Sequence, residues 1–184
     1  MKRPRAEEGF TLIELLIAMS VLGIISTTIA LTFVTGVRST IDAQSRFIES
    51  FDGQFMSIYF PVDASSATGV RKDVTTCAEA AGAGETSVVF FKWSEGGVAK
   101  AASYFTRTSS GVKQLMRRKC SAAATASELI MSENIPTTNP AISCTGTGTP
   151  CPGTGTGTTF TTVSIAMIET SGYSYTITGT RRSA

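Results

Sequence analysis

The sequence predicts an α+β protein: a long N-terminal membrane-spanning helix packed on an antiparallel β-sheet globular domain. Three observations carry this. From Phe10 to Val37 the chain holds no Lys, Arg or Asp, and its one charge is Glu14. Beyond the span an amphipathic pattern at helical spacing continues, with Val37, Ile41, Ile48, Phe51, Phe55 and Ile58 separated by Arg38, Asp42, Gln44, Arg46, Glu49 and Asp52. From Thr86 onward, short β-branched and aromatic runs alternate with Gly- and Ser-containing turns.

The apolar run is the most informative stretch. At ~1.5 Å per residue a helix over it is about 42 Å long, more than a hydrocarbon core of ~30 Å. It is longer than the apolar region of a secretory signal peptide, and no A-x-A-like site closes it. Lys2, Arg3 and Arg5 precede it, against Glu7 and Glu8, which favours a cytoplasmic N-terminus before processing. Glu14 stands out, because a carboxylate in an apolar span is costly unless neutralised or paired. The plain alternative is a simple signal anchor with Glu14 at the membrane interface.

Gly9-Phe10-Thr11-Leu12-Ile13-Glu14 resembles the signal of the type IV prepilin and pseudopilin family: a short basic leader ending in Gly, then Phe, then an apolar helix with Glu at the fifth mature position. The resemblance covers roughly the first 40 residues. It implies that a prepilin peptidase cuts between Gly9 and Phe10 and that Phe10 becomes the N-methylated terminus. A new amine at Phe10 is a cation, and Glu14 lies four residues on. In a bundle of such helices one subunit's Glu14 can meet a neighbour's Phe10 amine, so that both charges are paired only at the correct stagger; setting register is the best-attested use of a buried ion pair. The resemblance divides the chain into a leader (1–9), a transmembrane and assembly helix (10–37), its amphipathic continuation (38–67) and an extracytoplasmic β-rich domain (68–184).

The continuation is read as one helix from about Thr11 to about Phe60, with a sheet of the same chain as partner for its stripe. Pro61 kinks or ends it, or a further turn follows through Asp63 to Ala67. Thr68 to Gly84 reads as a loop. Thr86–Trp93, Val98–Thr108 and Val112–Cys120 read as a three-strand meander. Ser127–Ile135 fits a short helix or a strand, and strand is favoured. Residues 136–159 are Gly/Thr-rich and read as an exposed loop. Thr158–Glu169 and Gly172–Arg181 form a last hairpin, with Val163, Ile165 and Met167 on its apolar face.

The four cysteines, Cys77, Cys120, Cys144 and Cys151, all lie past the span, on the oxidising side if the leader is cytoplasmic. An even count favours two disulfides. Three pairings exist; proximity favours Cys144 with Cys151, which leaves Cys77 with Cys120. A four-cysteine zinc site is the rival, but its ligands usually come as two close pairs, and none is present.

Composition excludes much else. Of 184 residues 16% are charged, the net charge is +2, and there is no His. The commonest general base and metal ligand are therefore missing, and no nucleophile and base pairing is marked. No enzyme activity, metal or cofactor is expected. Lys113, Arg117, Arg118 and Lys119, with Arg181 and Arg182, read as solvated strand faces; binding to DNA is the lesser reading, as no aromatic platform interleaves with them.

The chain is thus read as a structural subunit, similar to minor pilins or J-type pseudopilins, of a type IV pilus or type II secretion-like pseudopilus. The resemblance implies as partners a prepilin peptidase, other pilin or pseudopilin subunits through helix packing, an inner-membrane assembly platform, and membrane lipid before assembly. Its location would be the cell membrane, single-pass, then an extracytoplasmic filament. The alternatives are a competence-type pseudopilin that handles DNA and a membrane-anchored binding module that never polymerises.

Overall fold

The computed structural model describes residues 11–121, 126–133, 135–146, 152–154 and 159–182. The architecture is α+β: one long helix, α1 (Leu12–Ser66), and eight strands in antiparallel sheets. The strands are β1 (Gly69–Arg71), β2 (Glu85–Glu95), β3 (Val98–Ser109), β4 (Val112–Ser121), β5 (Ser127–Ser132), β6 (Ala141–Thr145), β7 (Thr162–Ile168) and β8 (Ser174–Thr180). The chain forms two compact units, divided between Phe47 and Ile48.

In the second unit, β1-β2-β3-β4-β5 make a five-stranded sheet and β6-β7-β8 a three-stranded one. Local chemistry sets the meander. Gly96 and Gly97 take φ of 59° and 78° between the paired residues Glu95 and Val98, as a two-residue hairpin turn requires. Ser110 and Gly111 do the same between Ser109 and Val112. β5 settles the ambiguous segment as a strand, paired with β4 through Met116 and Ile130. Two stretches read as loops carry strands. β1 lies within 68–84, with Val70 opposite Phe91. β6 lies within 136–159, with Ile142 opposite Ile165. Both are too short to show a period of two above their polar surroundings, and strand pairing decides them.

The core joins the helix to both sheets. Met56, Phe60 and Ala64 are fully buried against Val89, Phe91, Tyr104 and Leu115 of the first sheet and Val163, Ile165 and Met167 of the second. Phe60 stands 5.5 Å from both Phe91 and Tyr104, edge to face, a geometry aromatic rings prefer. Gly179 of β8 lets the helix approach: a Cβ there would lie 2.4 Å from the Ala64 Cβ and 3.2 Å from the Pro61 Cα.

This packing corrects the expected sheet-facing stripe. Ile48, Phe51 and Ile58 are exposed by 53%, 59% and 59%, and only Phe55 of that set in this unit is drawn partly into the core. The helix here has apolar residues on two opposite sides. Periodicity finds both stripes but does not say which one the sheet takes. Pro61 does not end the helix; it sits inside α1, which runs to Ser66. Its missing N–H costs one helical bond, and the sheet contacts hold the last turn. The end is satisfied by two backbone bonds, Ala67 N–H to the Ala64 carbonyl at 3.2 Å and Arg182 N–H to the Ser65 carbonyl at 3.3 Å.

Candidate assembly site

The start of α1 is built around Thr11 and Glu14. The Thr11 carbonyl accepts from the Glu14 and Leu15 N–H groups at 3.1 and 3.2 Å, and the Thr11 hydroxyl donates to Glu14 Oε2 at 3.3 Å. Thr-x-x-Glu is the spacing of a helix capping box; here hydroxyl and carboxylate meet each other. That spacing was open to view in the sequence. A carboxylate in the first turn is also favoured by the unbonded N–H groups and dipole of the helix start. Gly9 and Phe10, the expected cut and methylation positions, lie outside the described residues.

Around Glu14 and as far as Val37 the helix presents large apolar side chains in every direction. Leu12, Leu16, Met19, Leu22, Ile29 and Phe33 are all more than half exposed, and the helix is long and apolar enough to cross a membrane. Several of its hydroxyl side chains are screened from apolar surroundings by bonding back to the helix. Ser20, Thr28, Thr32, Thr35 and Thr40 each donate to the carbonyl four residues earlier, at 2.8 to 3.2 Å, which makes hydroxyls tolerable in lipid or between helices. Such a surface needs lipid or other helices around it. In the second unit the side of α1 turned from the sheets adds Ile48, Phe51, Ile58 and Val62, all exposed.

Of the basic cluster, Lys119 and Arg182 are exposed as expected, but Arg117 and Arg118 are buried. In a strand, neighbours point to opposite faces, and each of two adjacent arginines finds its own acid. Arg117 is bound by Asp63 through two bonds of 2.7 Å, and Tyr104 O–H donates to the same carboxylate at 2.7 Å. All three residues are buried. The Arg117 guanidinium also lies 4.8 Å from the centre of the Tyr59 ring. Burial works against the Arg117 charge, but the Asp63 hydrogen bonds and charge outweigh it and raise its pKa. Burial, then the Asp63 charge, pushes the Tyr104 phenol well up, so it stays a donor. Asp63, which matches no calcium-loop pattern, is thus the anchor of the last helical turn on the sheet.

On the other face Arg118 binds Glu85 at 2.6 and 3.0 Å and Glu128 at 2.8 and 2.5 Å, and donates to the Thr75 carbonyl. A basic groove from Lys113 to Lys119 is therefore not assembled: its two central cations are already paired. The Arg118 hydrogen bond, against a smaller burial effect, holds the Glu85 carboxyl below the usual glutamate range. A carboxylate depressed by folding stabilises the fold above its unfolded pKa and loses that contribution as pH falls. Urea midpoints of the wild type should therefore drop as the pH is lowered through the ordinary glutamate range. Glu85→Gln should show a smaller drop, and an equal one would take Glu85 out of the account.

Cys77 and Cys120 are joined by a disulfide, with Cα atoms 5.4 Å apart and a sequence separation of 43. It ties the segment after β1 to the end of β4, beside Val74, Phe90 and Ala101. Cys144 is disulfide-bonded as well; Cys151, and with it the expected Cys144 pairing, falls outside the described residues. With the described cysteines engaged in disulfides, the rival zinc reading loses its ligands. No group of three or more His, Cys, Asp or Glu suited to a metal occurs among the described residues.

Residues 4–30 match the prokaryotic N-terminal methylation motif. The chain carries the prepilin-type cleavage and methylation signal, on an apolar N-terminal helix followed by antiparallel sheets in a pilin-like arrangement. The motif indicates a type IV pilin-like or pseudopilin-like precursor and implies processing by a prepilin peptidase; the apolar helix that follows suits membrane anchoring. Comparison with curated proteins and with solved structures finds no match.

Proposed function

We propose that the protein is a low-copy structural subunit of a type IV pilus or type II secretion-like pseudopilus. Cleavage between Gly9 and Phe10 frees the Phe10 amine, which is N-methylated. Residues 10–37 hold the subunit in the membrane until assembly, with the second unit outside. Helix packing against other subunits, at an inner-membrane assembly platform, then replaces lipid. Glu14 pairs with the Phe10 amine of a neighbour and sets the stagger.

One observation carries the reading: Glu14 is the sole charge between Phe10 and Val37, an apolar run whose described residues are all exposed. A simple anchor gains only a helix cap from a carboxylate there, whereas a helix that must find one register among apolar neighbours also gains a charge to pair. The exposed Ile48, Phe51, Ile58 and Val62 support it, since a stripe facing away from the sheets has work only against another molecule. The low copy number rests on the size of the second unit relative to the helix.

The test is the mass and N-terminal sequence of the protein purified from its own cells, together with a count of subunits per filament. A start at N-methylated Phe10 and a minor share of the filament are expected. An intact Met1, or a start elsewhere, would undo the processing, and dominance in the filament would undo the low copy number.

A further inference from the structure

β8 is the outer strand of the three-stranded sheet, and its ladder shows which of its backbone groups are free. Glu169 N–H donates to the Tyr173 carbonyl at 2.8 Å, and Arg181 N–H to the Thr161 carbonyl at 2.9 Å. Both pairs fall on the β7–β8 register, in which Ile165 faces Ile177 and Val163 faces Gly179. Hydrogen-bonded and non-hydrogen-bonded pairs alternate along an antiparallel ladder. Tyr175, Ile177 and Gly179 therefore bond to β7, and Ser174, Thr176, Thr178 and Thr180 turn their N–H and C=O groups to the open side. Outside the β7 ladder these groups have no hydrogen-bond partner among the described residues.

The edge is unguarded. Strands exposed at a sheet edge are usually protected by charge, proline, a bulge or brevity. β1 has three residues, and the β5 pairing is bulged at Leu115/Met116. β8 runs Ser-Tyr-Thr-Ile-Thr-Gly-Thr, seven residues with no charge or proline and no shift in register. Beside it lies a groove of about 580 Å³ between the strand and α1, walled by Tyr173 and Tyr175 and floored by Ser50, Gly53, Gln54 and Ser57. No lining residue carries a charge. The Tyr173 and Tyr175 rings stand 5.9 Å apart, and the Tyr175 hydroxyl is buried without a hydrogen-bond partner among the described residues.

We propose that the open edge of β8 and this groove form a β-augmentation site for an uncharged, extended polypeptide segment of a partner protein. The incoming strand bonds to the Thr176 and Thr178 main chain. Every second side chain enters the groove over Gly53 and Ser57, while the others extend the hydroxyl row in which Ser164 already meets Thr178 at 2.7 Å. Main-chain bonds supply affinity and the groove supplies the preference for uncharged, apolar side chains. The proposal does not depend on the filament reading, because every residue in it lies in the second unit.

The test uses the full chain in detergent micelles, isotope-labelled, with the capped heptapeptide of residues 162–168 as an uncharged strand probe. Binding should slow amide exchange at Thr176 and Thr178 and leave Tyr175 and Ile177, already bonded to β7, unchanged. Thr178→Pro removes an outward N–H that β7 does not use, and should weaken binding roughly tenfold, the effect of one or two main-chain bonds. Gly53→Leu, which fills the groove from the helix side, reaches the strand at the Tyr175 ring and leaves the β8 main chain unaltered, should weaken it as well and guards against misfolding of the proline variant. Thr176 and Thr178 amides unaffected at millimolar peptide, or protected before peptide is added, would overturn the proposal. So would shifts confined to Tyr173, Tyr175 and Gln54 with maltohexaose and none with the peptide, which would assign the groove to a glycan.

Discussion

Asp63→Ala is expected to destabilise the second unit by about 3–5 kcal/mol, the cost of leaving a buried charge without its partner. The Arg117 side chain is 6% exposed and the Asp63 side chain 4%. Removing the carboxylate strands the guanidinium and the Tyr104 hydroxyl together, in a site that water does not reach. The loss should appear as a lower urea midpoint for the full chain in detergent. The informative comparison is Asp63→Val combined with Arg117→Met, which removes both charges and keeps the site filled with apolar side chains. Paired replacement of a buried ion pair is often neutral, so the double variant should recover most of the loss. If it is as unstable as Asp63→Ala alone, the stability comes from the shape of the helix end and not from charge pairing.

Glu14→Gln is expected to abolish incorporation into filaments while leaving the protein in the membrane. Gln keeps the size of the side chain and can still accept from Thr11, so the substitution isolates the charge. If assembly pairs Glu14 with the Phe10 amine of a neighbour, the unpaired amine costs about 3–5 kcal/mol per subunit, and the subunit content of sheared filaments should fall by roughly 100-fold or more. The measurement is the ratio of sheared to membrane-bound protein, compared with wild type. Filaments with the normal content would remove the register role and leave Glu14 as a carboxylate capping the helix through Thr11.

The sheet face shows how far each of these sites could be read in advance. Arg117 and Arg118 looked like one basic patch because they adjoin in sequence. A strand sends neighbours to opposite faces, so one of the two was bound to meet the interior, but its partner Asp63 lies 54 residues away. No local pattern connects them. The β3–β4 register, which sets Tyr104 opposite Arg117, brings the pair beneath the last turn of the helix. The open edge of β8 was equally out of reach, since it depends on which strand ends the sheet and on the parity of its ladder.

By itself the sequence determined what rests on neighbours along the chain: the apolar span, the lone Glu14 and its methylation motif, the helical and strand periods, and the hairpin turns set by Gly96-Gly97 and Ser110-Gly111. Those are local, because helix and strand periods and turn dihedrals are properties of short segments. The tertiary structure alone decided which of two apolar helix faces the sheets bury. It carried the helix through Pro61, split the strands into two sheets, and closed Asp63 on Arg117. Each of these turns on contacts between residues distant in sequence, where one well-packed arrangement outweighs several local patterns of similar strength.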